Sequence, residues 1–355
     1  MKTNNIYKLY RGNIIAFLIT IYFLLNIFIF YTNKNKEQLN KKLNISKQII
    51  NIYSILYDST RSGNNRPKYN KNSENFYNIS KKNGIALCTI GKNENLYIKE
   101  FIEYYISLGV NKIIIYDNND IDGEKFDEVI IDYILNKSVD IIDVRGLSSI
   151  QIPIYNYCYK RNKDLYDWIG FIDIDEYIFI KNESNINEFL YNKKFAKCEL
   201  IHLNWLIYND NNKINYENKP LNNRFLKPTE FFYQGKSFIR GGFNNLLIPA
   251  THIPGLNIHY YCNSKGERIY PKSFISSTIE KNHQAYIKHY YTKTVQEFCN
   301  KINKVNAHFN KKHPLYIQSI KDRINLFFKW NKITNYKIKK LENCIGLNLS
   351  QYKIK

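Results

Sequence analysis

The run Trp168-Ile169-Gly170-Phe171-Ile172-Asp173-Ile174-Asp175-Glu176-Tyr177-Ile178-Phe179-Ile180 sets three acids between apolar flanks. Its length and its Ile and Phe content predict one strand of a buried sheet. Carboxylates on such a strand are costly unless something offsets their charge. On extended backbone Asp173 and Asp175, at i and i+2, point to one face about 7 Å apart. That is wide for both to grip one small cation. The spacing predicts that one acid binds a metal while the other acts through water or on a ligand group. An acid pair at the end of a buried strand is a common way to hold a divalent ion against a diphosphate.

Upstream of this run, apolar stretches alternate with helical spacing. Residues 85–90 read as a strand, and 94–108 as a helix closed by Gly109. Residues 112–116 and 139–144 are further strands, with helices over 126–135 and 152–166. Such alternation predicts an α/β fold, a mostly parallel Rossmann-like sheet with crossover helices. Ligands then bind beyond the carboxyl ends of the strands. Lys92-Asn93-Glu94, Asp117-Asn118-Asn119 and Asp173-Ile174-Asp175 all fall near those ends, so three segments converge on one rim. Neither GxGxxG nor GxxxxGK[ST] follows the first strand, which disfavours a dinucleotide oxidoreductase or a P-loop NTPase. A diphosphate here needs a metal and scattered basic or hydroxyl groups.

The 355 residues carry a formal charge of +21. The excess is mostly Lys spread along the whole chain without a basic stripe, so it reads as solvated surface and not as a nucleic-acid patch. Six cysteines are too far apart for a CxxC motif. Cys88 and Cys158 lie in apolar surroundings and read as core fillers. Residues 14–31 are almost wholly apolar and just reach the roughly 17–25 residues that cross a bilayer. No small-x-small cleavage site follows, which predicts an uncleaved, single-pass signal anchor behind a short tail at 1–13. Residues 32–83 read as a polar stem, 84–308 as the folded domain and 309–355 as a basic helical appendage.

Several motifs together resemble glycosyltransferase family 92 and related family-2-like domains. They are Lys92-Asn93-Glu94, Phe101-Ile102-Glu103-Tyr104, Leu108-Gly109-Val110 and Ile115-Tyr116-Asp117-Asn118, followed by Gln151 and Tyr155-Asn156-Tyr157-Cys158. Beyond the acidic run come Asn204-Trp205, Arg224-Phe225, Lys236-Ser237, Ile287-Lys288-His289-Tyr290-Tyr291-Thr292-Lys293 and Glu297-Phe298. The resemblance implies a GT-A fold with a DxD motif, a nucleotide-sugar donor and a divalent metal, usually manganese. It also implies inverting transfer onto a glycan, with galactose the commonest donor sugar, hence UDP-galactose. Two departures stand out: Tyr104-Tyr105 where such domains often carry Tyr-His, and Asn209-Asp210-Asn211 where they more often carry small residues.

Under that resemblance Asp173, Asp175 and His289 form the candidate metal constellation, with Asp175 the direct ligand and Asp173 meeting the ribose or a metal-bound water. His252 and His259 are the other candidates for a third ligand. Glu176 either joins this constellation or faces solvent. Lys92, Asn93, Glu94, Asp117 and Gln151 are donor-binding candidates, with Arg161 a weaker one. Asn93 serves equally as a helix cap and Asp117 as a turn former. Asp210 and Glu230 are the candidate bases that take the acceptor hydroxyl proton. Trp205 either stacks on an acceptor sugar or packs in the core. Two other classes use the same acids: a metal-dependent phosphoesterase, or a non-catalytic glycan-binding protein of the same fold.

Overall fold

A computed structural model describes residues 84–352, apart from 148–149, 245, 249–251, 253–257, 271–278 and 305–313. The expected anchor and stem lie outside the described residues. Among the described residues no helix is long and apolar enough to cross a membrane.

The first half follows the expected alternation: β1 (Ile85–Gly91), α1 (Asn95–Ser107), β2 (Lys112–Asp117), α2 (Asp127–Leu135), β3 (Val139–Asp143), α3 (Gln151–Asn162) and β4 (Trp168–Phe171). These strands are parallel, in the order β3-β2-β1-β4. Alternate residues serve opposite faces. Ile85, Leu87, Ile113 and Ile115 pack with Ile98, Phe101 and Ile102 of α1. Ala86, Cys88, Ile114 and Tyr116 pack with Ile154, Tyr155 and Cys158 of α3. Each fully buried Ile or Phe contributes about 1.5–3 kcal/mol. The chain therefore changes face between β3 and β4, and β4 joins the sheet on the other side of β1. That reversal opens a crevice at the carboxyl ends of β1 and β4. Gly109, at φ 97°, ends α1 in the left-handed region that glycine enters without penalty.

The run 168–180 is two strands, not the one expected. β4 stops at Phe171, and β5 (Glu176–Ile180) starts after a turn. Between them in space, though later in sequence, come other strands. Helix α4 (Ile186–Leu190) leads to β6 (Leu200–Tyr208), and the short α5 (Leu221–Arg224) leads to β7 (Pro228–Arg240). Two-residue strands β8 (Tyr261–Cys262) and β9 (Arg268–Ile269) precede β10 (Ala285–His289). The order continues β4-β7-β6-β10-β5. β7 is antiparallel to β4 and β6, and β5 is antiparallel to β10. The sheet is thus mixed, and parallel throughout only in its first four strands. The link from Phe171 to Glu176 reaches at most about 18 Å fully extended. Four strand spacings of a flat sheet need about 19 Å. Because the link also turns, the sheet must curl so that β5 and β10 approach β4.

Helices α6 (Val295–Lys304), α7 (Pro314–Trp330) and α8 (Asn335–Ile345) close the chain around their own apolar cluster, including Phe298, Ile302, Ile324, Phe327 and Leu341. All six cysteines are paired: Cys88–Cys158, Cys198–Cys262 and Cys299–Cys344. Cys88 and Cys158 are buried as expected, but they are a covalent tie between β1 and α3 and not simple fillers. Cys299–Cys344 ties α6 to α8.

Candidate functional site

The acidic segment is a turn at the mouth of the crevice. Glu176 N–H donates to the Asp173 carbonyl at 3.1 Å, and Asp173 N–H donates to Glu176 Oε2 at 3.0 Å. Ile174 points inward onto Gly91, where an added Cβ would stand 2.3 Å from its Cδ1 and 2.9 Å from the Phe126 ring, so a larger residue at the end of β1 would push both side chains aside. The extended geometry expected for Asp173 and Asp175 is absent, and each acid has its own surroundings.

Asp173 is enclosed by donors. Lys236 Nζ lies 2.8 Å from Oδ2, while Tyr155 Oη and Gln151 Nε2 lie 3.0 and 3.4 Å from Oδ1. β7 brings Lys236 there because Phe238 pairs with Gly170, which sets Lys236 beyond the end of β4. Burial works to raise the Asp173 carboxyl, but the Lys236 ammonium outweighs it and holds the group ionised below its ordinary range. Glu176 does not face solvent. It is fully buried 3.9 Å from the same ammonium, and burial pushes it well above the usual carboxylate range. One ammonium offsets one carboxylate, and the closer Asp173 takes it.

Asp175 meets different elements. Lys301 Nζ, from α6, lies 2.7 Å from Oδ2, and His289 Nε2, from β10, lies 3.7 Å from Oδ1. Tyr290 N–H donates to the Asp175 carbonyl at 3.0 Å, which docks the turn on the end of β10. Burial would raise this carboxyl, yet Lys301, with His289 and Lys293 behind it, holds it below the ordinary range. Burial lowers His289 to about 3 against the pull of Asp175, so its imidazole is neutral near pH 7. A separation of 3.7 Å is too long for a hydrogen bond. The two atoms face one another with room between them, and a small closing movement would let both hold one ion. His289 Nδ1 is buried and has no hydrogen-bond partner among the described residues. The donor set, a neutral imidazole Nε2 beside an ionised carboxylate, would suit a small divalent ion. No group of three such ligands occurs among the described residues.

The other expected residues divide. Lys92 pairs with Asp120 at 2.6 Å. Asn93 is not the helix cap: it sits at φ 52° and its N–H donates to Asn119 Oδ1, while Glu94 precedes α1. Glu94 Oε2 lies 3.3 Å from Lys293 Nζ. Asp117 spends its carboxylate on its own loop, accepting from Asn119 N–H at 3.0 Å, Asn119 Nδ2 at 2.7 Å and Phe126 N–H at 3.3 Å. Gln151 reaches Asp173 instead of standing apart. Arg161 lies over the Tyr157 ring. His252 stacks edge-on to Trp205 at 4.8 Å, and burial lowers it to about 4. His259 is exposed. Trp205 is buried against His289, with ring centres 4.4 Å apart, so it lines the core and not an acceptor surface. Asp210 forms a buried pair with Lys337 of α8 at 2.6 Å and accepts from Asn212 N–H at 2.8 Å. Glu230 is partly exposed at the start of β7, held by Lys329 Nζ at 2.5 Å and Trp330 Nε1 at 2.8 Å.

The pairing roles of Lys236, Lys301 and Tyr155 escape sequence reasoning. In so Lys-rich a chain a single lysine carries little signal. Lys236 alone had one, because Phe231, Phe232, Phe238 and Ile239 make its strand apolar.

The model of glycosyltransferase family 92 matches residues 81–328. A family 92 protein of Ricinus communis is 30% identical over 113 residues, covering 32% of this chain and 20% of that protein. One from Oryza sativa subsp. japonica is 30% identical over 131 residues, covering 36% and 20%. The chain thus spans about a fifth of the length of the curated relatives it matches. Among solved structures, S. aureus TarS 1–349 overlaps 74% of this chain and 79% of its own at 11% identity and a TM-score of 0.30. Mannosyltransferase PcManGT from Pyrobaculum calidifontis, in complex with GDP-Man and Mn2+, overlaps 45% of each chain at 6% identity and a TM-score of 0.26. These superpositions are loose. With the family match running across the crevice, the acidic turn and β10, the chain belongs to glycosyltransferase family 92.

Proposed function

We propose that this chain is a metal-dependent glycosyltransferase of GT-A type that moves a sugar from a nucleotide-sugar donor to a glycan with inversion. The observation that carries the reading is the convergence of an ionised Asp175 and a neutral His289 at the carboxyl ends of the strands. A divalent ion bound by that pair, manganese in the first instance, supplies a counter-charge for the departing diphosphate. Asp173, locked by Lys236 and Tyr155, presents a fixed carboxylate edge toward the donor ribose. Both candidate bases are ion-paired, Glu230 with Lys329 and Asp210 with Lys337, but only Glu230 is exposed enough to meet an acceptor. Glu230 is therefore assigned the acceptor proton. Galactose is the first donor sugar to test.

The membrane anchor at 14–31, tail inside and domain outside, belongs to the same proposal. Three disulfides support it, since such bonds persist in an oxidising lumen or outside the cell. The test is a screen of the full chain in detergent with nucleotide sugars and Mn2+, starting with UDP-galactose. Manganese-dependent turnover of one donor, reduced about 1,000-fold in Asp175→Asn, is expected. Absence of metal-dependent turnover with every donor, or its survival in Asp175→Asn, contradicts the reading.

A further inference from the structure

Lys301 occupies the oxygen of Asp175 that His289 leaves open. We propose that Lys301 is a tethered placeholder cation: it shields Asp175 until a divalent ion binds, then turns into the adjoining cleft to hold the diphosphate. This rests on the metal-dependent reading above.

A divalent ion on Asp175 repels an ammonium held by the same carboxylate, so one displaces the other. The backbone of Lys301 has little freedom to follow, because Cys299, two residues earlier on α6, is tied to Cys344. The side chain can move, being about a quarter exposed. Its ammonium already leans on the cleft wall, 3.2 Å from the Tyr291 carbonyl and 4.3 Å from that ring's centre.

The cleft has a volume of about 130 Å3, and Tyr97, Tyr291, Lys293, Gln296, Asn300 and Lys301 are among its walls. Lys293 stands there over the Tyr97 ring at 3.6 Å, 3.3 Å from Glu94 Oε2. The second acid of the wall, Glu297, is bound by both terminal nitrogens of the Arg224 guanidinium at 2.9 and 3.0 Å and by the Tyr97 hydroxyl. Once Lys301 leaves Asp175, its unpaired ammonium, the Lys293 ammonium still paired with Glu94, and two amides line one small cleft, a donor set suited to phosphate oxygens. Metal and diphosphate then bind cooperatively, since the first releases a ligand for the second, and the coupling is reciprocal.

The test measures binding and not turnover. Mn2+ affinity of the full chain in detergent is read by the paramagnetic resonance signal of free Mn2+, with and without inorganic pyrophosphate. In Lys301→Met, Mn2+ alone binds about tenfold tighter than in the wild type, while pyrophosphate binds about tenfold more weakly and no longer strengthens Mn2+ binding. Lys301→Gln, a second uncharged variant, shows the same changes, and Lys301→Arg stays near the wild type. Unchanged or weaker Mn2+ binding in both uncharged variants overturns the placeholder role. Wild-type Mn2+ binding that is absent, or indifferent to Asp175→Asn, overturns the metal reading and the proposal with it.

Discussion

Two aspartates one residue apart sit in opposite kinds of surroundings. The Asp173 side, built by β4, α3 and β7, surrounds its carboxylate with a buried ammonium, a phenol and an amide. The Asp175 side, built by β10 and α6, offers one partly exposed ammonium and an imidazole held just out of hydrogen-bond range. Three close partners fix a carboxylate in place, whereas a sparser set leaves it able to take a ligand. The turn thus splits a symmetrical-looking motif into a positioned anion and a ligand, and the split is set by strands far apart in sequence.

The largest effect on stability should come from breaking the Asp173 side at its centre. Lys236→Met leaves Asp173 and Glu176 crowded without a counter-charge, and removing one partner of a buried pair costs about 3 kcal/mol or more. Urea unfolding checks this, and adding Asp173→Asn should recover part of the loss. On the other side Asp175→Asn should cost less, about 1–2 kcal/mol, because the freed Lys301 ammonium is a quarter exposed and can turn to water whereas Lys236 cannot. Equal losses from the two substitutions would erase the contrast.

A further effect is expected from pH. His202, on β6, lies 3.1 Å from the Ser237 hydroxyl beside Lys236, and burial lowers it to about 3. His283 is lowered to about 4 by burial. Unfolded histidine takes a proton near pH 6.5. Between those values the unfolded chain binds protons that the folded chain does not, so stability falls as pH drops from about 6.5 toward 4. Each group contributes at most about 1.4 kcal/mol per pH unit. Urea midpoints between pH 7 and 4.5 should show the slope, and His202→Gln should flatten it. The smallest effect is that of Tyr155→Phe, which removes one donor from Asp173 and costs about 1 kcal/mol. A loss comparable to that of Lys236→Met would mean that the phenol and not the ammonium holds the acid.

The parallel half of the fold is legible because its apolar runs are short and end at Asn, Asp or Gly, as at Asp117-Asn118-Asn119 and Gly109. The end of β4 is not. Ile172 and Ile174 are buried within the turn, so the apolar pattern runs unbroken from one strand into the next. The curled half is hidden for another reason. β7 joins β4 to β6 with a register shift near Asn204 and Trp205, a pairing that no local pattern encodes. Cysteine connectivity is hidden likewise, since six cysteines allow 15 pairings. At the site, the acids and His289 stood out as chemistry, but the lysines that separate the roles of Asp173 and Asp175 did not.

The decisive comparison is Mn2+ binding by the full chain in Asp173→Asn and in Asp175→Asn, followed by paramagnetic resonance with pyrophosphate present. Asp175→Asn should weaken Mn2+ binding at least about 100-fold, while Asp173→Asn weakens it about tenfold or less. Equal losses in the two variants, or the greater loss in Asp173→Asn, would contradict the division of the acidic turn.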